Sequence, residues 1–172
     1  DWPGRVGYWE VGIPPSGPMD DASFRAGNTA LGNPEGTPGL ECTLNGPALR
    51  FATAATVCVT GAPAPVTLDG APVPQWEPIE APAGSVLDVG QAAGPGVRTY
   101  VLVRGGDGGR ALAVGDGLRV AAPGPGSPAP RPVPARSRPV MSREWRIAVA
   151  EGPHPAPEFL TRESMDRFYA TD

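Results

Sequence analysis

Apolar residues in this chain recur with two different periods, and the change between them falls at Gly32. Phe24, Asn28 and Leu31 stand at helical spacing behind Asp20, a residue type that caps helix N-termini, so the pattern predicts a short helix over 21–31. From there the period is two. Leu40, Cys42 and Leu44, then Leu49 and Phe51, Val57 and Val59, and Val66 and Leu68 alternate with polar or small residues, and Asp69-Gly70 supplies a tight hairpin signal. Val86 and Val89, the run from Tyr100 to Val103, Leu112 to Val114 and Leu118 to Val120 continue the series, most of them separated by glycine turns. This succession predicts a mainly β, antiparallel meander closed into a barrel or curled sandwich, not a βαβ sheet.

The alternation stops near residue 120. Prolines at 123, 125, 128, 130, 132, 134 and 139, with Ser and Arg between them, remove the donors a sheet ladder needs, so 121–140 reads as a semi-rigid, weakly packed linker. An SH3-type ligand role for Pro128 to Pro132 ranks well behind it. Beyond the linker, Trp145 to Val149 reads as a strand. Thr161 then caps a short helix whose apolar face is Met165, Phe168 and Tyr169, with Leu160 placed to staple onto Met165. The expected organisation is a first β lobe over 1–120, the linker, and the start of a second, similar lobe over 141–172.

Composition changes this picture little. The 24 glycines and 24 prolines among 172 residues would suggest disorder, but outside the linker they punctuate alternating apolar runs. All 14 basic residues are Arg and the net charge is −4, so no basic block points to nucleic acid or an anionic membrane. Cys42 and Cys58 lie in apolar runs and read as core residues. One histidine, His154, and no Cys-x-x-Cys pair argue against a protein-held zinc. Neither a long apolar run nor an export signal is present, and the expected compartment is the cytoplasm.

The segment from Asp1 to Asp20 combines aromatics, turn residues and polar groups more densely than an ordinary loop. Pro14 and Pro15 fix their φ angles, and Gly12 and Gly17 permit close backbone approach or positive φ. Ser16 and Asp20 are therefore presented on a stiff frame, with Arg5 and Tyr8 nearby in sequence. The plain alternative is a rigid turn ending in a helix cap.

These residues also carry a resemblance. Pro3-Gly4-Arg5, Gly7-Tyr8-Trp9, Val11 to Asp20 with its Pro-Pro-Ser-Gly-Pro-Met-Asp core, Phe24-Arg25, Asn28, Gly32-Asn33-Pro34, Leu40-Glu41 and Gly46-Pro47 resemble the allophanate hydrolase subunit 2 family. They are most similar to its version in the carboxyltransferase domain of biotin-dependent urea carboxylases. A second match runs from Trp145-Arg146-Ile147 through Gly152-Pro153-His154 to Ala156-Pro157-Glu158-Phe159. The resemblance implies cyclophilin-like β-barrel lobes. It also exposes a departure: after Arg104-Gly105-Gly106, relatives carry a longer segment with a Leu-Gly-Ser stretch, and they continue past Asp172. The chain is therefore expected to be part of the family domain, with little activity alone.

The chemistry the resemblance implies is transfer of a carboxyl group from carboxybiotin to urea or a similar small amide, giving allophanate. Such a site stabilises charge on the departing ureido oxygen, orients the accepting nitrogen and removes its proton. Ser16 and Asp20 are the catalytic candidates; Arg5, Tyr8, Gly17, Asn28, Glu41, Arg104 and His154 are the substrate or biotin contacts. Each has a plainer role available. Asp20 reads as a cap before a base, Ser16 has no nearby His, Asn28 suits a buried hydrogen bond, and Glu41 suits a pair with Arg5 or Arg50. Arg104 suits an anion or a surface ion pair, and His154 a loop contact. The run Arg104 to Arg110 lacks a phosphate-binding pattern and the chain has no Lys, so ATP and covalent biotin belong on other domains. Expected partners are biotin carboxylase and biotinyl carrier domains and a companion subunit 1-like domain. Two other readings stand beside this one: a subunit of a prokaryotic 5-oxoprolinase, and a non-catalytic assembly domain of the same fold.

Overall fold

The computed structural model describes residues 2–106, 113–144, 146–148 and 159–170. The chain divides into two compact units, Asp1–Ser142 and Arg143–Asp172. In the first, one helix, α1 (Asp21–Ala30), precedes eight strands: β1 (Leu40–Thr43), β2 (Ala48–Arg50), β3 (Ala55–Gly61), β4 (Val66–Leu68), β5 (Ala71–Pro72), β6 (Pro78–Ala81), β7 (Val86–Val89) and β8 (Arg98–Val103). They form two four-stranded sheets, ordered β1-β8-β3-β6 and β2-β7-β4-β5, and every strand pair in them is antiparallel. The mainly β architecture read from the alternation is the one the chain adopts.

The twofold period explains the layering. In β3 and β8 alternate residues serve two different cores. Val57, Val59, Val101 and Val103 join Val66, Leu87 and Val89 in one cluster. Cys58, Tyr100 and Leu102 face the other way and join Phe24 of α1 and Leu31 just after it with Trp76 and Val133. Because both faces are covered, β8 reads as a continuous apolar run. Both thiols belong to these cores: burial raises that of Cys42 and pushes that of Cys58 up to about 12. Gly27 lets α1 lie close on β3 and β8, since a Cβ there would collide with Leu102 and Thr60.

Local signals account for the turns. Asp69 and Gly70 both have positive φ (50° and 80°) and join β4 to β5, the geometry an Asp-Gly hairpin favours. Leu31 follows α1 as its C-cap and Gly32 turns the chain away with φ 70°.

Three expectations need correction. Leu118–Val120 form no strand: Leu118 and Val120 line an open groove of about 810 Å³ beside Leu49 and Phe51, so their alternation serves side-chain contact without a ladder. The stretch 121–140 has no regular structure except one 3-10 turn, Ala135–Ser137, but it is not weakly packed throughout. The amide of Arg131 donates to the Ala30 carbonyl and that of Val133 to the Trp76 carbonyl, both at 2.8 Å, and Val133 is 5% exposed. Between the prolines at 130, 132 and 134 only Arg131 and Val133 keep an amide donor, and these two carbonyl groups accept from them. Finally, β6 was not anticipated, because it is short and begins with proline.

In the second unit, α2 (Arg162–Ala170) begins as predicted: Thr161 Oγ1 accepts from the Ser164 amide at 3.1 Å. Residues 146–148 have no regular structure. The remainder of the strand expected over 145–149, Leu112 of the strand expected over 112–114, and the motif containing His154 lie outside the described residues.

Candidate functional site

The opening loop is a doubled-back segment held by its own backbone. The amide of Arg5 donates to the Pro15 carbonyl at 2.7 Å, and Gly4, at φ 82°, passes so close to Pro15 and Gly17 that a Cβ there would overlap their backbone. Between these strands of loop, Trp9–Val11 make a 3-10 turn, and the Tyr8 carbonyl accepts from the amides of Val11 and Ile13, both at 3.2 Å. Ser16 occupies the left-handed region with φ 52°, and its Oγ donates to the Pro14 carbonyl at 3.2 Å.

The loop is fastened to the sheet at its last two residues. The Met19 amide donates to Glu41 Oε2 at 2.9 Å, and the Asp20 amide donates to the Tyr100 hydroxyl at 2.7 Å. The other carboxylate oxygen of Glu41 accepts from Arg98 Nε at 3.1 Å. Glu41 stands opposite Tyr100 in the β1/β8 pairing, so the phenol that binds the loop amide lies beside the carboxylate that binds the neighbouring one. Burial is the main cause that raises the phenol's pKa; the neighbouring Glu41 adds to it, while the Asp20 amide opposes it. Asp20 itself is a helix cap: its Oδ1 accepts from the Ser23 amide at 3.0 Å and its Oδ2 from Ser23 Oγ. The arrangement fixes the chain between Met19 and Ser23 from three sides.

This geometry sorts the candidates. Asp20 and Glu41 both lie beside Tyr100, and Ser16 is four residues away on the same rigid loop. Glu41 pairs with Arg98 rather than with Arg5 or Arg50. Arg5 and Tyr8 are exposed on the loop, and Gly17 lies against Pro3 and Gly4. Asn28 and Arg104 belong to the other end of α1, about 12 Å along its axis from the cap at 1.5 Å per residue. Fully buried Asn28 donates to the carbonyls of Thr37 (2.9 Å) and Glu35 (3.3 Å) and accepts from Asn33. Arg104 Nη1 donates to the carbonyls of Leu31 (2.8 Å) and Pro128 (3.0 Å), so it satisfies neutral groups where an anion or ion pair was expected.

Two cavities accompany these groups: the groove beside Leu49 and Phe51, and one of about 490 Å³ between α1 and residues 131–137. Neither of these two is lined by Ser16 or Asp20. Sequence reasoning missed Tyr100, Arg98 and Ser23. Ser23 lies three residues from the cap, but the signal for the other two is nonlocal: in the β1/β8 register Glu41 stands opposite Tyr100 and Arg98 opposite Thr43, which puts Arg98 and Glu41 diagonally on one face. No helix among the described residues is long and apolar enough to cross a membrane.

Comparison with known proteins follows the same residues. The family described as "Carboxyltransferase domain, subdomain A and B" matches residues 11–108 and 104–172. The urea amidolyase of Saccharomyces cerevisiae is 38% identical over 195 aligned residues, covering 99% of this chain and 11% of that protein. The crystal structure of the Kluyveromyces lactis urea carboxylase superposes with a TM-score of 0.87 at 35% identity, over 98% of this chain and 17% of that one. A 5-oxoprolinase subunit of Haemophilus influenzae is 39% identical over 103 residues, or 60% of this chain and 33% of that protein. The chain thus spans about a tenth of the length of the yeast relative. The two matched segments overlap at 104–108.

Proposed function

Because the chain belongs to the carboxyltransferase domain family, subdomains A and B, we propose that it forms part of a urea carboxylase carboxyltransferase that moves a carboxyl group from carboxybiotin to urea, giving allophanate. The observation that carries this reading is the 38% identity to a urea amidolyase over 99% of the chain. Carboxybiotin, carried on another domain, supplies the activated carboxyl group. This chain's own contribution is positional and electrostatic. Arg5 and Tyr8 offer exposed donors on the loop, and Ser16 and the Gly17 amide lie on a backbone that does not need to reorganise. Asp20 and Glu41 hold that backbone, and their carboxylates supply the negative charge that would favour proton removal from the accepting nitrogen.

In this reading ATP is consumed on a biotin carboxylase domain, biotin arrives on a carrier domain, and a companion subunit 1-like domain completes the assembly. The work takes place in the cytoplasm, the compartment that supplies that ATP. Asn28 and Arg104 act from the far end of α1 and His154 from the second lobe. Residues 1–120 form the first lobe, 121–140 the connector and 141–172 the beginning of the second lobe; the break between units at 142/143 falls just past the connector.

A second reading rests on the likeness to the Haemophilus influenzae 5-oxoprolinase subunit, in which the same loop would serve lactam opening without biotin. The test separates them. In the full multidomain polypeptide, Ser16→Ala and Asp20→Asn should lower urea-dependent turnover about 100- to 1,000-fold, the usual weight of a positioned polar group, while biotin-dependent ATP cleavage without urea stays unchanged. Wild-type turnover in both variants would make the loop structural only. Turnover with 5-oxoproline but not with urea would favour the second reading.

A further inference from the structure

The cavity of about 490 Å³ between α1 and residues 131–137 is not used by the reading above, and its charge is unbalanced. Its floor is apolar, from Ala22, Ala26 and Ala30 of α1 and Val133 of the facing ridge. Both walls are preformed. The ridge is tied down by the Arg131 and Val133 amides and by a turn in which the Ser137 amide donates to the Pro134 carbonyl at 2.8 Å, while Pro132 and Pro134 fix their own φ. A site that needs no reordering keeps more of its interaction energy on binding.

Three arginines line the groove, but only one is neutralised. Two nitrogens of Arg25 converge on the Glu35 carboxylate at 2.7 and 2.8 Å, Asp21 stands 3.7 Å away, and the guanidinium covers the Trp2 ring at 4.4 Å. Arg138, just past the groove, faces Glu77 at 3.9 Å. Arg131 and Arg136 have no acidic partner among the described residues, although the whole chain carries a net charge of −4. The result is two exposed guanidiniums without acidic partners, Arg131 and Arg136, lining a cavity whose other walls are largely apolar.

We propose that this groove docks an acidic peptide segment of a partner protein, its carboxylates on Arg131 and Arg136 and its aliphatic stems along Ala22, Ala26 and Val133. Guanidiniums suit carboxylates through paired, charge-assisted hydrogen bonds. Two guanidiniums five residues apart on one ridge suit an extended segment that carries several carboxylates better than a ligand with one. Exposed pairs are individually weak, so the contact depends on having both, and on ionic strength. This inference stands independently of the carboxyl-transfer reading.

The test uses the intact chain and a fluorescein-labelled hexaglutamate peptide, followed by anisotropy at low salt. Saturable binding is expected, weakened about tenfold or more by Arg131→Glu with Arg136→Glu, and weakened again by roughly 150 mM salt. Thr29→Trp, an exposed α1 position at the groove, should also weaken binding while both arginines remain. Arg50→Glu with Arg119→Glu, an equal charge change elsewhere, should leave it intact, and circular dichroism should show all variants folded. Equal losses in both charge-reversed pairs would reduce the effect to net charge and overturn the proposal. So would unchanged binding in Thr29→Trp, or competition by succinate at matched carboxylate concentration, which would make the groove a small-anion site.

Discussion

The opening loop and the proline-rich stretch are made of similar residues and end in opposite arrangements. Both are rich in proline and glycine, both lack sheet structure, and both are fixed through a few backbone hydrogen bonds. Yet the loop turns its large apolar side chains outward, with Val6, Trp9, Val11 and Met19 at 63–74% exposure, whereas the stretch buries Val133 to 5%. Composition sets how stiff such a segment is. Where it lies depends on which backbone groups elsewhere need partners. Ala30 and Leu31, at the end of α1, leave carbonyls unpaired in the helix, and Arg131 and Arg104 satisfy them. The loop finds its partners in side chains instead, Glu41 and the Tyr100 hydroxyl.

The contrast is most directly broken at Val133. Val133→Asp should cost about 3 kcal/mol or more, since it places a charge in the core shared with Leu31 and Trp76. Chemical denaturation measures this, and a loss under about 1 kcal/mol would mean the ridge is not docked. Next in size is Tyr100→Phe, which leaves the Asp20 amide without its partner. A loss of about 1–3 kcal/mol is expected, with faster hydrogen exchange at the Asp20 amide.

A smaller effect sharpens the loop side of the comparison. Asp20→Ala removes a cap and should cost about 1 kcal/mol, while Asp20→Asn, which still caps, should cost only a few tenths. Equal losses in the two would show that charge, not capping, matters for stability. Smallest of all is Trp9→Ser: at 74% exposure its stability change should stay within about 0.5 kcal/mol, as thermal unfolding would record. A larger loss would place Trp9 in a core.

Elements whose determinants are local were legible in the sequence. α1 announced itself through Asp20, the Phe24/Asn28/Leu31 spacing and Gly32, and the β4–β5 hairpin through Asp69-Gly70. Leu118 and Val120 misled because alternation reports two-sidedness, not hydrogen bonding, and a groove wall can alternate as a strand does. The candidate site was legible only in part. Ser16 and Asp20 could be placed on a rigid loop from Pro14 and Pro15 alone, but the partner of Glu41 depends on the β1/β8 register, and nothing near Glu41 in sequence specifies Arg98 or Tyr100. Docking of Val133 was hidden likewise, because its acceptor is the carbonyl of Trp76.

The place of β8 in the sheet also governs the order in which the molecule can form. This strand lies between β1 and β3, yet it is the last of the eight to leave the ribosome. Until it emerges, β1 has no neighbour in its sheet, β3 has an open edge, and Met19–Asp20 lack the hydroxyl that pins them. Long-range pairing of this kind is slow, and it leaves apolar strands available to other chains while it waits. A nascent chain ending before Arg98 therefore carries most of the apolar residues of both cores without the second of the two strands that divide them, and it is during this interval that the protein is most exposed to misassembly.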